Sequence, residues 1–209
     1  MKCGFLVFPG VEELDFVGPW EMASMWAALP SGPQERLIVA GAAGPVVCAK
    51  GLSLNPHATF DACPALDLLV VPGGIGTRAE VDDEPLIDFI RRQAGSCRAV
   101  LSVCTGAFLL QRAGLLDGKR ATTHWASLDR LRALGVQVVE ERFVRDGAVW
   151  TSAGVSAGID MTLAFIADFA GEETAARVQL AAEYFPSPRI YKAPDGSPAP
   201  PAYAAAPRA

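Results

Sequence analysis

Chemistry in this chain of 209 residues starts most readily from cysteine, because a thiolate is an intrinsically strong nucleophile and five cysteines are present. One of them is set apart by its neighbours. In Arg98-Ala-Val-Leu-Ser-Val-Cys104-Thr-Gly106 an apolar, β-branched run passes directly into a helical pattern, with the sulfur at the corner and a glycine two positions on. A tight strand-to-helix turn exposes the side chain at its tip, and small neighbours let other backbone come close. The N–H groups and dipole of the following helix are expected to stabilise a thiolate on Cys104. Cys3, Cys48, Cys63 and Cys97 have no such setting and read as small buried hydrophobes.

Two further junctions carry polar groups. Val70-Val71-Pro72-Gly73-Gly74 ends a strand in two glycines, which either make a tight turn or present backbone N–H groups, near Gly74, as oxyanion donors. After the first apolar run, Asp15 is the acid held between Leu14, Phe16 and Val17. It suits a helix N-cap or a buried general acid/base, and the two roles are compatible. His124, 20 residues beyond Cys104, can be a base for it or a hydrogen-bonded core residue beside Trp125. Trp20 and Trp26 suit the core or an interface, and Trp20 could wall a pocket near Asp15.

These residues need a scaffold that brings several strand ends together. Apolar runs at Cys3 to Phe8, Leu37 to Ala40, Leu66 to Val71, Arg98 to Val103 and Val136 to Val139 read as buried strands. They alternate with helical patterns at Asp15 to Leu29, Pro85 to Ala94, Thr105 to Ala113 and Trp125 to Leu134, with two more at Ser156 to Phe169 and Glu172 to Ala182. This order predicts an α/β three-layer sandwich with a mostly parallel sheet, whose ligands bind beyond the carboxyl ends of the strands. Segments Val46 to Leu54 and Phe143 to Thr151, broken by Gly51 and by Asp146-Gly147, predict hairpins added to that sheet.

Residues 1–185 are expected to form this single domain. Residues 186–209, with seven prolines and seven alanines, form a tail that cannot supply a helix-turn-helix module. A 51% hydrophobic, 20% charged composition is that of a folded chain. The net charge of −5 supplies no cationic field for nucleic acid. No apolar run reaches the roughly 18 residues that span a bilayer, since Asp160 and Asp168 interrupt the longest, Ala153 to Ala170. The start is too short in apolar residues for a signal peptide, so the expected location is the cytoplasm, with no membrane partner. Irregularly spaced cysteines and two histidines suit neither a disulfide framework nor a zinc site.

The run Val103-Cys104-Thr105-Gly106-Ala107, continued by Gly114-Leu115-Leu116-Asp117-Gly118-Lys119-Arg120-Ala121-Thr122-Thr123-His124-Trp125, resembles the DJ-1/PfpI superfamily. So do Leu14-Asp15-Phe16-Val17-Gly18-Pro19 and Gly154-Val155-Ser156-Ala157-Gly158-Ile159-Asp160, and the likeness extends over about Lys2 to Pro186. Two branches share these motifs, the isocyanide hydratases and the ligand-sensing halves of AraC-type regulators. Val178-Gln179-Leu180 and the absent helix-turn-helix favour the first. The resemblance implies a flavodoxin-like fold of the class I glutamine amidotransferase type and a homodimer. It assigns Cys104 as nucleophile and Asp15 as acid/base, with main-chain N–H groups near Gly74 and Thr105 lining the site. No metal or cofactor is implied, and the partner is a small isocyanide.

The protease-like branch carries histidine directly after its cysteine, where this chain has Thr105. The glyoxalase or deglycase-like branches carry glutamate where Asp15 stands, one methylene longer. Enzymes acting on reactive carbonyls, and a non-catalytic ligand or redox sensor, are the alternatives to the hydratase. In the hydratase, protonated Asp15 and the Cys104 thiolate would together build a thioimidate that water then releases as an N-substituted formamide.

Overall fold

The computed structural model describes residues 1–186 together with Pro201 and Tyr203, and the expected tail otherwise lies outside the described residues. In chain order the elements are β1 Lys2–Leu6, α1 Glu13–Ala27, β2 Glu35–Ala40, β3 Val46–Val47, β4 Ser53–Leu54, β5 Ala58–Thr59 and β6 Leu68–Val71. Then come α2 Thr77–Glu80, α3 Glu84–Ala94, β7 Ala99–Val103, α4 Gly106–Arg112, β8 Arg120–Ala121, a 3₁₀ turn at Trp125–Ser127 and α5 Leu128–Ala133. The remainder is β9 Gln137–Val138, β10 Phe143–Asp146, β11 Val149–Ser152, α6 Ala157–Ala170 and α7 Glu172–Ala181.

Among the described residues the main sheet has seven strands, ordered β10-β11-β7-β6-β1-β2-β5, all parallel except the edge hairpin β10-β11. Side chains alternate between its faces, as the period of a strand requires. Leu68 and Val70 of β6 join Met22, Trp26, Met161 and Phe165 under α1, α6 and α7. Leu69 and Val71 join Leu86, Ile90, Leu109 and Leu110 under α3 and α4. The architecture is thus the expected three-layer α/β sandwich. Each fully buried Leu or Ile in it contributes about 1.5–3 kcal/mol.

Two expectations need correction. The Val46 to Leu54 hairpin forms, but as the separate two-stranded ribbon β3-β4. The expected strand Val136 to Val139 shrinks to β9, which pairs with β8 outside the main sheet. A central strand of a parallel sheet is buried on both faces. Here Gln137 is exposed and Val138 only half-buried, so the segment lies as a surface ribbon. The predicted helix Trp125 to Leu134 is present as the 3₁₀ turn followed by α5.

The strand ends converge. Register pairs Phe5 with Val70, Val71 with Ser102 and Ser152 with Val103, so β1, β6, β7 and β11 finish at one edge. Two glycines let the corners touch: a Cβ on Gly73 would lie 2.5 Å from the Thr105 nitrogen, and one on Gly106 would lie 2.2 Å from the Val71 carbonyl oxygen. The loop after β1 is stitched to the loop after β6 by Glu12 N–H donating to Gly73 O (2.9 Å) and Gly76 N–H donating to Gly10 O (3.0 Å).

Candidate active site

Cys104 follows β7 with φ +56°, the left-handed region that a non-glycine residue seldom adopts, as the elbow reading requires. The surrounding chain holds it there. Its N–H is shared between the carbonyls of Ser152 and Ala153, each at 3.1 Å. Its carbonyl accepts the Thr123 hydroxyl at 2.7 Å. The side chain opens on a cavity of about 660 Å³, whose wall includes Glu12, Ile75, Thr105, Phe108, His124 and Val155.

Asp15 lies behind the sulfur and not on the cavity wall. It sits in the first turn of α1, which already begins at Glu13, so it does not serve as the N-cap. It is fully buried; Oδ2 accepts the Gly73 N–H at 2.9 Å, while Oδ1 has no hydrogen-bond partner in the protein. Burial pushes its carboxyl up to about 7, opposed by the Gly73 N–H and reinforced by the charge of Glu12; the neighbouring Cys104 thiol draws it back down. The expected lowering of the Cys104 thiol is not found. Burial, and then the facing Asp15 carboxylate, push it up to about 12. The N–H groups of Thr105 and Val155 and the Thr105 hydroxyl pull the other way. With the residue only 7% exposed and α4 only seven residues long, desolvation outweighs the helix terminus. At neutral pH the sulfur therefore keeps its proton, and the carboxyl is the member of the pair that titrates there.

The oxyanion expectation also changes. Gly74, at φ +122°, lines the cavity, but its N–H donates to Thr105 Oγ1 at 3.0 Å, and that hydroxyl donates back to Gly74 O at 3.2 Å. These two residues lock one corner against the other, and the donors facing the sulfur are the Thr105 and Val155 N–H groups. Val155 escaped the sequence reading. It follows β11, a fourth strand end beside β7, and holds φ +47°, which a β-branched residue gives no sign of adopting.

His124 lies on the cavity wall with Nδ1 accepting the Ala126 N–H at 3.2 Å. Burial lowers its affinity for a proton, which suits a neutral ring packed on Gly154, where a Cβ would come within 2.4 Å of Cδ2. Trp20 is elsewhere, stacked on His57 at 5.8 Å and edge-on to Phe5 at 5.1 Å. Trp26 is in the core. Of the tail, Tyr203 is half-buried near Arg142, Glu140 and Cys104, and burial raises its phenol. Among the described residues no group of three His, Cys, Asp or Glu side chains is placed to hold a metal, and no helix is long and apolar enough to cross a membrane.

Known proteins resemble this chain to different depths. An isonitrile hydratase from Pseudomonas putida is 47% identical over 188 residues, covering 90% of this chain and 80% of that protein. The HTH-type transcriptional regulator CdhR of Pseudomonas aeruginosa is 31% identical over 176 residues, 83% of this chain but only 52% of the regulator. A crystal structure of a THiJ/PfpI family protein from Pseudomonas syringae superposes with TM-score 0.83 at 37% identity, covering 90% of this chain and 77% of that one. Schizosaccharomyces pombe DJ-1 shares the fold, with TM-score 0.75 at 16% identity over 89% of this chain and all of its own. Residues 1–168 match the DJ-1/PfpI family as a whole. With the elbow cysteine, the doubly wound sheet and this span of matched sequence in agreement, the chain belongs to the DJ-1/PfpI family.

Proposed function

We propose that the protein hydrates isocyanides to N-substituted formamides, with Cys104 as nucleophile and Asp15 as the alternating acid and base. The observation that carries this reading is the pair itself: a buried carboxyl near pH 7 in its titration, beside a cysteine at a strained elbow that opens on a cavity. The likeness to an isonitrile hydratase supports the substrate class.

An isocyanide carbon must gain a nucleophile and a proton on the same atom. As sulfur bonds to that carbon, the thiol proton passes to Asp15 Oδ1, the carboxylate oxygen without another partner, and from there to the carbon. The product is a thioimidate, and Asp15 is again a carboxylate. It then takes a proton from water, whose oxygen adds to the thioimidate carbon. As the C–S bond breaks, Asp15 returns that proton to sulfur, the added oxygen closes to a carbonyl, and its remaining proton passes to the nitrogen, leaving the N-substituted formamide. Sulfur and Asp15 end as they began, and the net reaction is addition of one water.

The test compares an alkyl isocyanide with a 2-oxoaldehyde on the same preparation. Multiple turnover with formamide appearing, lost in Cys104→Ala, is the expected result. Turnover of the aldehyde alone would replace the substrate class. Binding of either without turnover would favour a sensor like the regulator halves.

A further inference from the structure

Asp160 closes a sequence motif that the reaction does not use, and it sits in the first turn of α6 with an unusual set of partners. Arg142, just before β10, reaches its Oδ2 with Nε at 2.7 Å and Nη2 at 2.6 Å, and the same Nη2 donates to Ser156 Oγ at 3.1 Å. Tyr184 donates its hydroxyl to Asp160 Oδ1 at 3.1 Å, and Gln179 of α7 fixes Tyr184 by donating to its carbonyl at 3.0 Å. Both carboxylate oxygens are thus engaged, and the Arg142 and Asp160 side chains are 30% and 19% exposed, sheltered enough for a charged pair to hold geometry.

Arg142 also acts through its backbone. Its carbonyl accepts the Ala153 N–H at 2.9 Å, and the Ala153 carbonyl in turn accepts the Cys104 N–H at 3.1 Å. One residue therefore grips both ends of the turn between β11 and α6: Ala153 by its main chain, Ser156 and Asp160 by its guanidinium. Val155 lies between, at φ +47°, a conformation that a β-branched residue keeps only when its surroundings impose it. The titratable groups near this grip are Glu140 and Tyr203 beside Arg142, with His124 on the cavity wall and Asp15 facing the sulfur from behind.

We propose that Arg142, with Asp160 and Tyr184, is a positioning device that holds the strained Val155 turn so that its N–H faces the Cys104 sulfur. It touches no reacting atom. Its part in hydration rests on the function proposed above, whereas its effect on the Val155 N–H does not.

The test is amide hydrogen exchange at Val155, followed by NMR on the full chain in Asp160→Asn, Arg142→Lys and Tyr184→Phe. In the first two, exchange at Val155 should quicken at least about tenfold, the order expected for loss of a charge-assisted hydrogen bond. Amides at the far end of α6, such as Ile166, should keep their rates. Tyr184→Phe, which removes one hydroxyl, should show a smaller change in the same direction. With isocyanide as substrate, kcat should fall while KM stays within about twofold, the pattern of a contact that matters after binding. Unchanged Val155 exchange in whichever variants fold, or a rise shared equally by Ile166, would overturn the proposal. Failure of isocyanide turnover in the parent protein would leave the exchange result standing and strike only the proposed reaction.

Discussion

Asp15 is the residue on which chemistry and stability pull in opposite directions. Asp15→Asn keeps the size and removes the titrating proton, so turnover should fall by about 10²–10⁴-fold. If the carboxyl serves the first step, no adduct should build up on Cys104; a stoichiometric gain of the isocyanide mass in intact-protein mass spectrometry would confine Asp15 to the hydrolytic step. Stability should move the other way. The folded protein keeps the Asp15 proton up to about pH 7, whereas the unfolded chain releases it near the ordinary 3.8. The native state therefore binds more protons than the unfolded state between those values, and stability falls as pH rises through the window. Asparagine carries no such loss, so urea denaturation should show the variant gaining on the parent from about pH 4 to about pH 7 and holding that gain above it. Cys104 and Asp15 were legible in the sequence because an apolar run before a corner, and an acid among hydrophobes, are local patterns. The thiol's high pKa was not, since it depends first on burial and then on a carboxylate 89 positions away in the chain, and both exist only in the fold.

At the scale of elements, the corner glycines decide whether the site assembles. Gly106→Ala would drive a methyl into the Val71 carbonyl oxygen, a rigid backbone atom that cannot swing aside. It should cost about 1–3 kcal/mol in denaturant unfolding, as overpacking does, and weaken activity by forcing the turn after Cys104 away from the Val71–Gly73 corner. The long apolar strands and the amphipathic α3 were readable because their periodicity is sustained over many residues. The two-residue strands β5 and β8 and the single turn α2 were not, and β9 was read as a longer central strand, because elements so short have no period and owe their form to what they pack on. The same limit hid Val155: its dihedral is imposed by Arg142 and Cys104, not by its own sequence.

For the whole molecule, the family likeness carries the expectation of a homodimer. Leu14 on α1 and Val47 and Leu52 on the β3-β4 hairpin are exposed apolar side chains, and the hairpin is tied to α1 by Lys50 N–H donating to Glu13 Oε1 at 2.7 Å. Light scattering at micromolar concentration should give twice the chain mass, and Leu52→Lys should shift it toward the monomer; a monomeric parent would remove the dimer from the account. One feature of the site reaches beyond catalysis. Asp15, Gly73, Cys104 and Val155 lie in the segments that follow four separate strands, and the bond between the first two already spans 58 residues of chain. Contacts this distant form only once intervening loops have closed, so no fragment that folds early can carry a working site. On the function proposed above, newly made chains should stay inert until the last parallel strand has docked, and hydration activity would then serve as a clock for the completion of folding.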